Sequence, residues 1–103
     1  MTIHMQYVDM SESETLSVIV TRNLSKLAHK YQFVIRADIF FKLGQGKDGK
    51  DKICKIQLSA PGPRIFAQAT ENNFEKAAGE TISDLERQLR KRKEKLGRRK
   101  KAI

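Results

Sequence analysis

The chain has 103 residues and a single cysteine, Cys54, which fits one domain with one modest core and excludes an internal disulfide or a cysteine-based zinc cluster. Residues 1–10 lack the basic start and apolar run of a signal peptide or a membrane span, and the lone cysteine makes a reducing cytoplasm the expected location. Residues 1–86 hold 11 Lys/Arg against 11 Asp/Glu, whereas 87–103 hold 10 Lys/Arg and only Glu94; the whole net charge of +9 therefore sits in the last 17 positions, and its field reaches polyanions over roughly 8 Å at physiological salt.

In chain order, Ile3, Met5 and Tyr7 alternate with polar residues and predict a first strand. Ser11 or Ser13 can cap the helix that follows, with Glu14 completing a capping box from Ser11. Leu16, Ile19, Val20, Leu24, Leu27, Ala28 and Tyr31 recur at steps of mostly three and four, the stripe a helix needs to lie on a core, and extend it to Lys30.

From Val34 to Leu43 the period becomes two, with Ile35, Ala37, Ile39, Phe41 and Leu43 expected inward. The segment Gly44-Gln45-Gly46-Lys47-Asp48-Gly49-Lys50 reads as a hairpin loop turning at Asp48-Gly49. Its glycine spacing resembles a phosphate-binding loop, but Asp51 stands where Ser or Thr should hold magnesium, and a strand follows where a helix is required. Cys54, Ile56, Leu58 and Ala60 define a third strand, Pro61-Gly62-Pro63 turns the chain, and Ile65, Ala67 and Ala69 define a fourth. Asn72 or Asn73 can cap a last helix carrying Phe74, Ala77, Ala78, Thr81, Ile82, Leu85 and Leu89. Taken to Leu96, that helix is about 34 Å long and must overhang the sheet.

The expected fold is α+β, in the order βαβββα: a four-stranded mixed sheet with both helices on one face, and the first helix crossing between parallel strands one and two. Residues 1–96 form the domain, and 97–103 a basic, flexible tail.

Little in the chain suggests catalysis. His4 and His29 lie on separate elements with no ligand cluster around either, so neither a metal nor a cofactor is expected. Cys54 falls on an inward position, where a thiol behaves as a small hydrophobe. No acid and base pair at a spacing that places them in one cleft, so the protein is read as a non-enzyme without a small-molecule substrate.

The cations are more informative. Arg22, Lys26 and Lys30, spaced by four, form a stripe on the first helix, and Arg87, Arg90, Lys91, Arg92, Lys93 and Lys95 crowd the end of the last. Complementing a helix dipole needs only one or two such residues, and ten cations against one anion repel each other. The pattern points to a polyanion partner. Phe40 and Phe66, on the outward parity beside Arg36, Lys42, Arg64 and Gln68, could stack bases or be covered by long cationic stems.

Residues 2–16, Leu24-Ser25-Lys26-Leu27, Ile65-Phe66-Ala67-Gln68-Ala69 and above all the run from Leu85 to Leu96 resemble the ribosome hibernation promoting factors, also called ribosome-associated inhibitors or sigma modulation proteins. The resemblance spans nearly the whole chain, although Pro61-Gly62-Pro63 makes one hairpin longer than usual for the family. It implies a fold similar to a double-stranded-RNA-binding domain with an added strand, lodged in the small ribosomal subunit across the messenger and transfer-RNA sites, silencing translation in idle or stressed bacterial cells. On that analogy Lys26, Arg87, Lys91, Lys93 and Lys95 are expected to face ribosomal RNA. Arg22 and Lys30 join them from helix geometry and Arg90 and Arg92 from the basic run they belong to, with Lys47, Lys50 and Lys52 as weaker candidates. A chain ending at Ile103 resembles the short form, without a dimerisation domain. Two alternatives stay open: a general single-stranded-RNA binder using the outer sheet face, and a protein that binds a sigma factor or RNA polymerase.

Overall fold

A computed structural model describes residues 1–45 and 51–101, the side chains of 98–101 excepted. Its elements are β1 (Thr2–Val8), α1 (Glu14–Lys30), β2 (Arg36–Leu43), β3 (Lys52–Ser59), β4 (Ile65–Glu71) and α2 (Phe74–Lys101). The strands lie side by side in the order β1-β2-β3-β4. β1 and β2 are parallel, joined through α1, while β3 and β4 follow as antiparallel neighbours. The expected βαβββα architecture is therefore the observed one.

Each helix starts on a side chain that satisfies an otherwise orphaned backbone N–H. Of the two serines available, Ser13 caps α1, its Oγ accepting from the Leu16 N–H at 3.2 Å. Asn73 rather than Asn72 caps α2, its Oδ1 accepting from the Lys76 N–H at 2.7 Å. Between β1 and α1 the chain turns through Asp9 at φ +52°, a left-handed conformation that Asp tolerates better than most residues. The Tyr7 hydroxyl closes this corner, sharing a hydrogen bond with Ser17 Oγ at 2.6 Å and donating to the Ser13 carbonyl at 2.9 Å.

One face of the sheet meets both helices. Ala37, Ile39, Phe41, Cys54, Ile56, Leu58, Ile65 and Ala67 are buried against Leu16, Val20, Leu24 and Leu27 of α1 and Ala77, Ala78, Leu85 and Leu89 of α2, with Ile3, Met5 and Tyr7 packed at the margin. Tyr7 stacks on Phe41 at 5.1 Å between ring centroids, and Phe74 meets Phe41 edge-on at 5.7 Å, geometries that aromatic pairs favour. Among the described residues Thr81 is the one polar residue buried with these apolar ones. Its hydroxyl reaches the Ala77 carbonyl at 2.8 Å and the Cys54 carbonyl at 3.3 Å, so its burial leaves no hydrogen bond unmade.

Three expectations need correction. Ile35 does not face inward: it is 63% exposed while Val34 is buried. β2 begins only at Arg36, and the Val34 N–H bonds back to the Tyr31 carbonyl at 3.1 Å in a turn that breaks the strand's alternation. Leu43, at the far end of β2, is also exposed, beyond the cover of either helix. Finally, α2 continues past Leu96 and through Gly97 to Lys101, since one helical glycine costs only about 1 kcal/mol relative to alanine. The turn expected at Asp48-Gly49, with Lys47 and Lys50, lies outside the described residues.

Candidate nucleic-acid interface

α2 contains 28 residues, about 42 Å at 1.5 Å per residue, and Leu89 is the last buried position among its described side chains. The 12 residues from Arg90 to Lys101 carry it roughly 18 Å beyond the core. This overhang accounts for the elongated outline, 53 Å by 24 Å by 17 Å. Nearly all the excess charge rides on it.

The helix packing joins cations that are distant in sequence. Lys30 at the end of α1 reaches Glu86 of α2 at 2.8 Å, and Arg90 approaches the same carboxylate at 3.9 Å. The Lys30 hydrogen bond holds Glu86 below its usual carboxylate range, and Glu86 in turn raises the Lys30 ammonium. Beside this pair the buried Tyr31 ring lies under two ammonium groups, Lys30 at 5.5 Å and Lys93 at 5.8 Å from its centroid, within the range of cation–π attraction. Lys30, Arg90 and Lys93 thus form one cluster at the α1–α2 junction. Glu86, Arg90 and Lys93 follow each other at steps of four and three, which keeps them on the same flank of the helix.

The opposite flank of α2 faces the start of β4. Lys91 and Lys95 line a shallow groove there with Gln88 and Arg64, while Arg87 pairs with Asp84 at 3.1 Å. Gln88 Nε2 donates to the Phe66 carbonyl at 2.9 Å, satisfying part of an otherwise open sheet edge. Among the described residues Lys91 and Lys95 have no acidic partner, and neither do Arg22 and Lys26, which stand exposed on α1.

Arg92, counted above among the RNA-facing cations, is turned onto the protein itself. Its Nη1 donates to the Pro61 carbonyl at 2.6 Å and its Nη2 to the Pro63 carbonyl at 2.7 Å. Gly62 between them has φ +96°, and a Cβ there would lie 2.9 Å from Arg92 Nη1. The sequence does contain the signal: Leu85, Leu89, Arg92 and Leu96 are spaced by four, three and four, which places Arg92 on the stripe facing the domain. Arg64, which the sequence offers only as an outward position near Phe66, is brought beside Lys91 and Lys95 by the folded chain.

The single cysteine is poorly placed for covalent chemistry. Cys54 is fully buried, and burial pushes its thiol up to about 12, far from a reactive thiolate. Among the described residues no three His, Cys, Asp or Glu side chains gather as metal ligands, and no helix is long and apolar enough to cross a membrane.

Fold and surface together define a class: an α+β protein of βαβββα order whose last helix carries a cationic overhang. The chain belongs to the Sigma 54 modulation protein / S30EA ribosomal protein family, whose model matches residues 3–97. Among solved structures it is similar to a ribosomal subunit interface protein from Coxiella burnetii, at 25% identity and a TM-score of 0.80, covering 90% of this chain and 98% of that one. It shares its fold with the N-terminal domain of Protein Y from Thermus thermophilus, at 20% identity and a TM-score of 0.75, covering 88% and 98% respectively. A comparison with curated protein sequences finds no significant match.

Proposed function

We propose that this protein is a cytoplasmic ribosome hibernation factor: it binds the small ribosomal subunit through ribosomal RNA phosphates and, by occupying the messenger and transfer-RNA sites, silences translation in idle or stressed cells. The observation that carries the reading is the gathering of cations from both helices around an overhang holding few acids. Family membership supports a ribosomal partner, as does the similarity to a protein described as a ribosomal subunit interface protein. Arg22, Lys26, Lys30, Arg87, Arg90, Lys91, Lys93 and Lys95 are the contacts we assign, with Arg92 holding the adjoining turn.

The mechanism requires no bond to be made or broken. Ammonium and guanidinium groups displace the counterions condensed on RNA, and the gain in counterion entropy drives association. Inhibition then follows from excluded volume, because the folded body fills space that messenger and transfer RNA need. Arginine can grip a phosphate through two parallel N–H bonds, whereas lysine acts as a point charge. Arg87 and Arg90 would therefore set register, and the lysines would add mainly attraction.

The test is co-sedimentation with purified small subunits. Replacing Arg87, Lys91, Lys93 and Lys95 together with alanine should abolish most of the pelleted fraction while the melting temperature shifts little, because all four are exposed. Undiminished pelleting of a folded variant would reject the assignment.

A further inference from the structure

The sheet face turned away from both helices carries a pattern that the helix cations do not account for. Phe66 is 49% exposed and Phe40 is half-buried. An aromatic ring left in water forgoes the transfer free energy that burial provides, so two on one face call for an explanation beyond the fold.

The strand register places them. Phe40 stands opposite Lys55, Lys55 opposite Gln68, and Phe66 lies two residues along β4 from Gln68. Two strand spacings and two residues separate the rings by about 12 Å. Lys55 lies between them, directly across from Phe40 and diagonal to Phe66. Lys42 follows Phe40 by two residues, so the face reads cation, ring, cation, ring along one diagonal, and Arg64 stands just ahead of β4, two residues before Phe66.

Charge on this face is positive as well. Among the described outward strand positions Asp38 is the single acid, and it is engaged by Arg36 at 2.9 Å, with His4 at 3.8 Å. The Arg36 hydrogen bond holds the Asp38 carboxyl below its ordinary range. Lys42 and Lys55 have no acidic partner among the described residues.

We infer that the outer sheet face is a second RNA-binding surface, one that takes an unpaired strand by stacking two splayed bases on Phe40 and Phe66 while Lys42, Lys55 and Arg64 meet the phosphates between and beside them. A duplex does not fit this pattern. Its bases are stacked about 3.4 Å apart and present no free faces, whereas an unstacked strand can bridge rings 12 Å apart. Phe40, Phe66, Lys42 and Lys55 lie on the opposite side of the sheet from α1 and α2, and Arg64 alone is shared with the groove along α2, so the two rings can be tested apart from the helix cations.

The experiment compares two fluorescein-labelled probes by anisotropy at fixed salt, a twelve-nucleotide oligouridylate and a blunt RNA duplex of the same length. The overhang's electrostatic attraction acts on both, so the ratio of the two affinities is the readout. Phe40→Ala with Phe66→Ala should weaken oligouridylate binding at least tenfold, because both stacking platforms are lost, and change duplex binding by less than about twofold. Phe66→Ala alone, at the more exposed ring, should give a smaller loss of the same kind and guards against misfolding of the double variant. Phe40→Tyr with Phe66→Tyr should restore binding. Unchanged oligouridylate affinity in Phe66→Ala, or full retention by Phe40→Leu with Phe66→Leu, would overturn the inference and leave the rings as apolar cover or a protein contact. The co-sedimentation test above reads the α2 variant instead, so either proposal can fail without the other.

Discussion

At the scale of single residues, Arg92 and Lys91 are adjacent cations with different surroundings. Lys91 has no partner among the described residues, while Arg92 spends both terminal nitrogens on the carbonyls of Pro61 and Pro63. Their alanine variants should therefore differ in kind. Lys91→Ala should reduce the slope of log affinity against log salt by roughly 0.7–0.9, the signature of one lost phosphate contact. Arg92→Ala should leave that slope unchanged and instead lower thermal stability by roughly 1–3 kcal/mol, because two hydrogen bonds of about 0.5–1.5 kcal/mol each are lost. Gly62→Ala should destabilise by roughly 1–3 kcal/mol, because its left-handed backbone strains any side chain and its Cβ would press on Arg92. Thermal melts and a salt titration of small-subunit binding measure both effects. Equal slope changes for Lys91→Ala and Arg92→Ala would show that Arg92 leaves its turn to grip RNA.

At the scale of elements, α1 and α2 meet through Glu86, which partly neutralises Lys30 and Arg90. Removing its charge should release both cations toward RNA. We expect Glu86→Gln to tighten small-subunit binding by about two- to threefold at low salt, an advantage that screening erases as ionic strength rises. Weaker binding would mean instead that Glu86 positions Lys30. The same contact sets a pH response. Glu86 is held below its usual value of 4.5 in the folded state, so the unfolded chain takes up the proton first as pH falls. Its contribution is complete above about pH 4.5 and is lost as pH drops through the folded value; for so exposed a pair it amounts to less than about 1 kcal/mol. A flatter acid limb in the stability profile of Glu86→Gln checks the sign.

At the scale of the whole molecule, a neutral body carrying a positive overhang should bind as a polyelectrolyte ligand. If six to ten phosphates are engaged, affinity for the small subunit should fall by roughly 10³ to 10⁵ between 50 and 200 mM salt. Sedimentation across that range measures it, and a flat profile would point to apolar contacts in place of phosphates. The elements behind this behaviour were readable from the chain because periodicity is a local property. The stripe of Leu16, Val20, Leu24 and Leu27 requires a helix, and the alternation of Ala37, Ile39 and Phe41 requires a strand, wherever either packs. The charge imbalance of the last 17 residues is likewise independent of fold. Which cations remain available is not. Lys30 lies 56 positions from Glu86 and Arg92 lies 29 from Pro63, and no spacing rule connects residues so far apart. Ile35 was misjudged for a related reason, since a turn from Tyr31 to Val34 shifted the alternation by one residue. The amino-acid order alone determined the elements, their succession and the sign and position of the charge. Only the tertiary structure decided which charges are paired and which side chains are left on an open face, because those depend on distances that chain folding creates between remote segments.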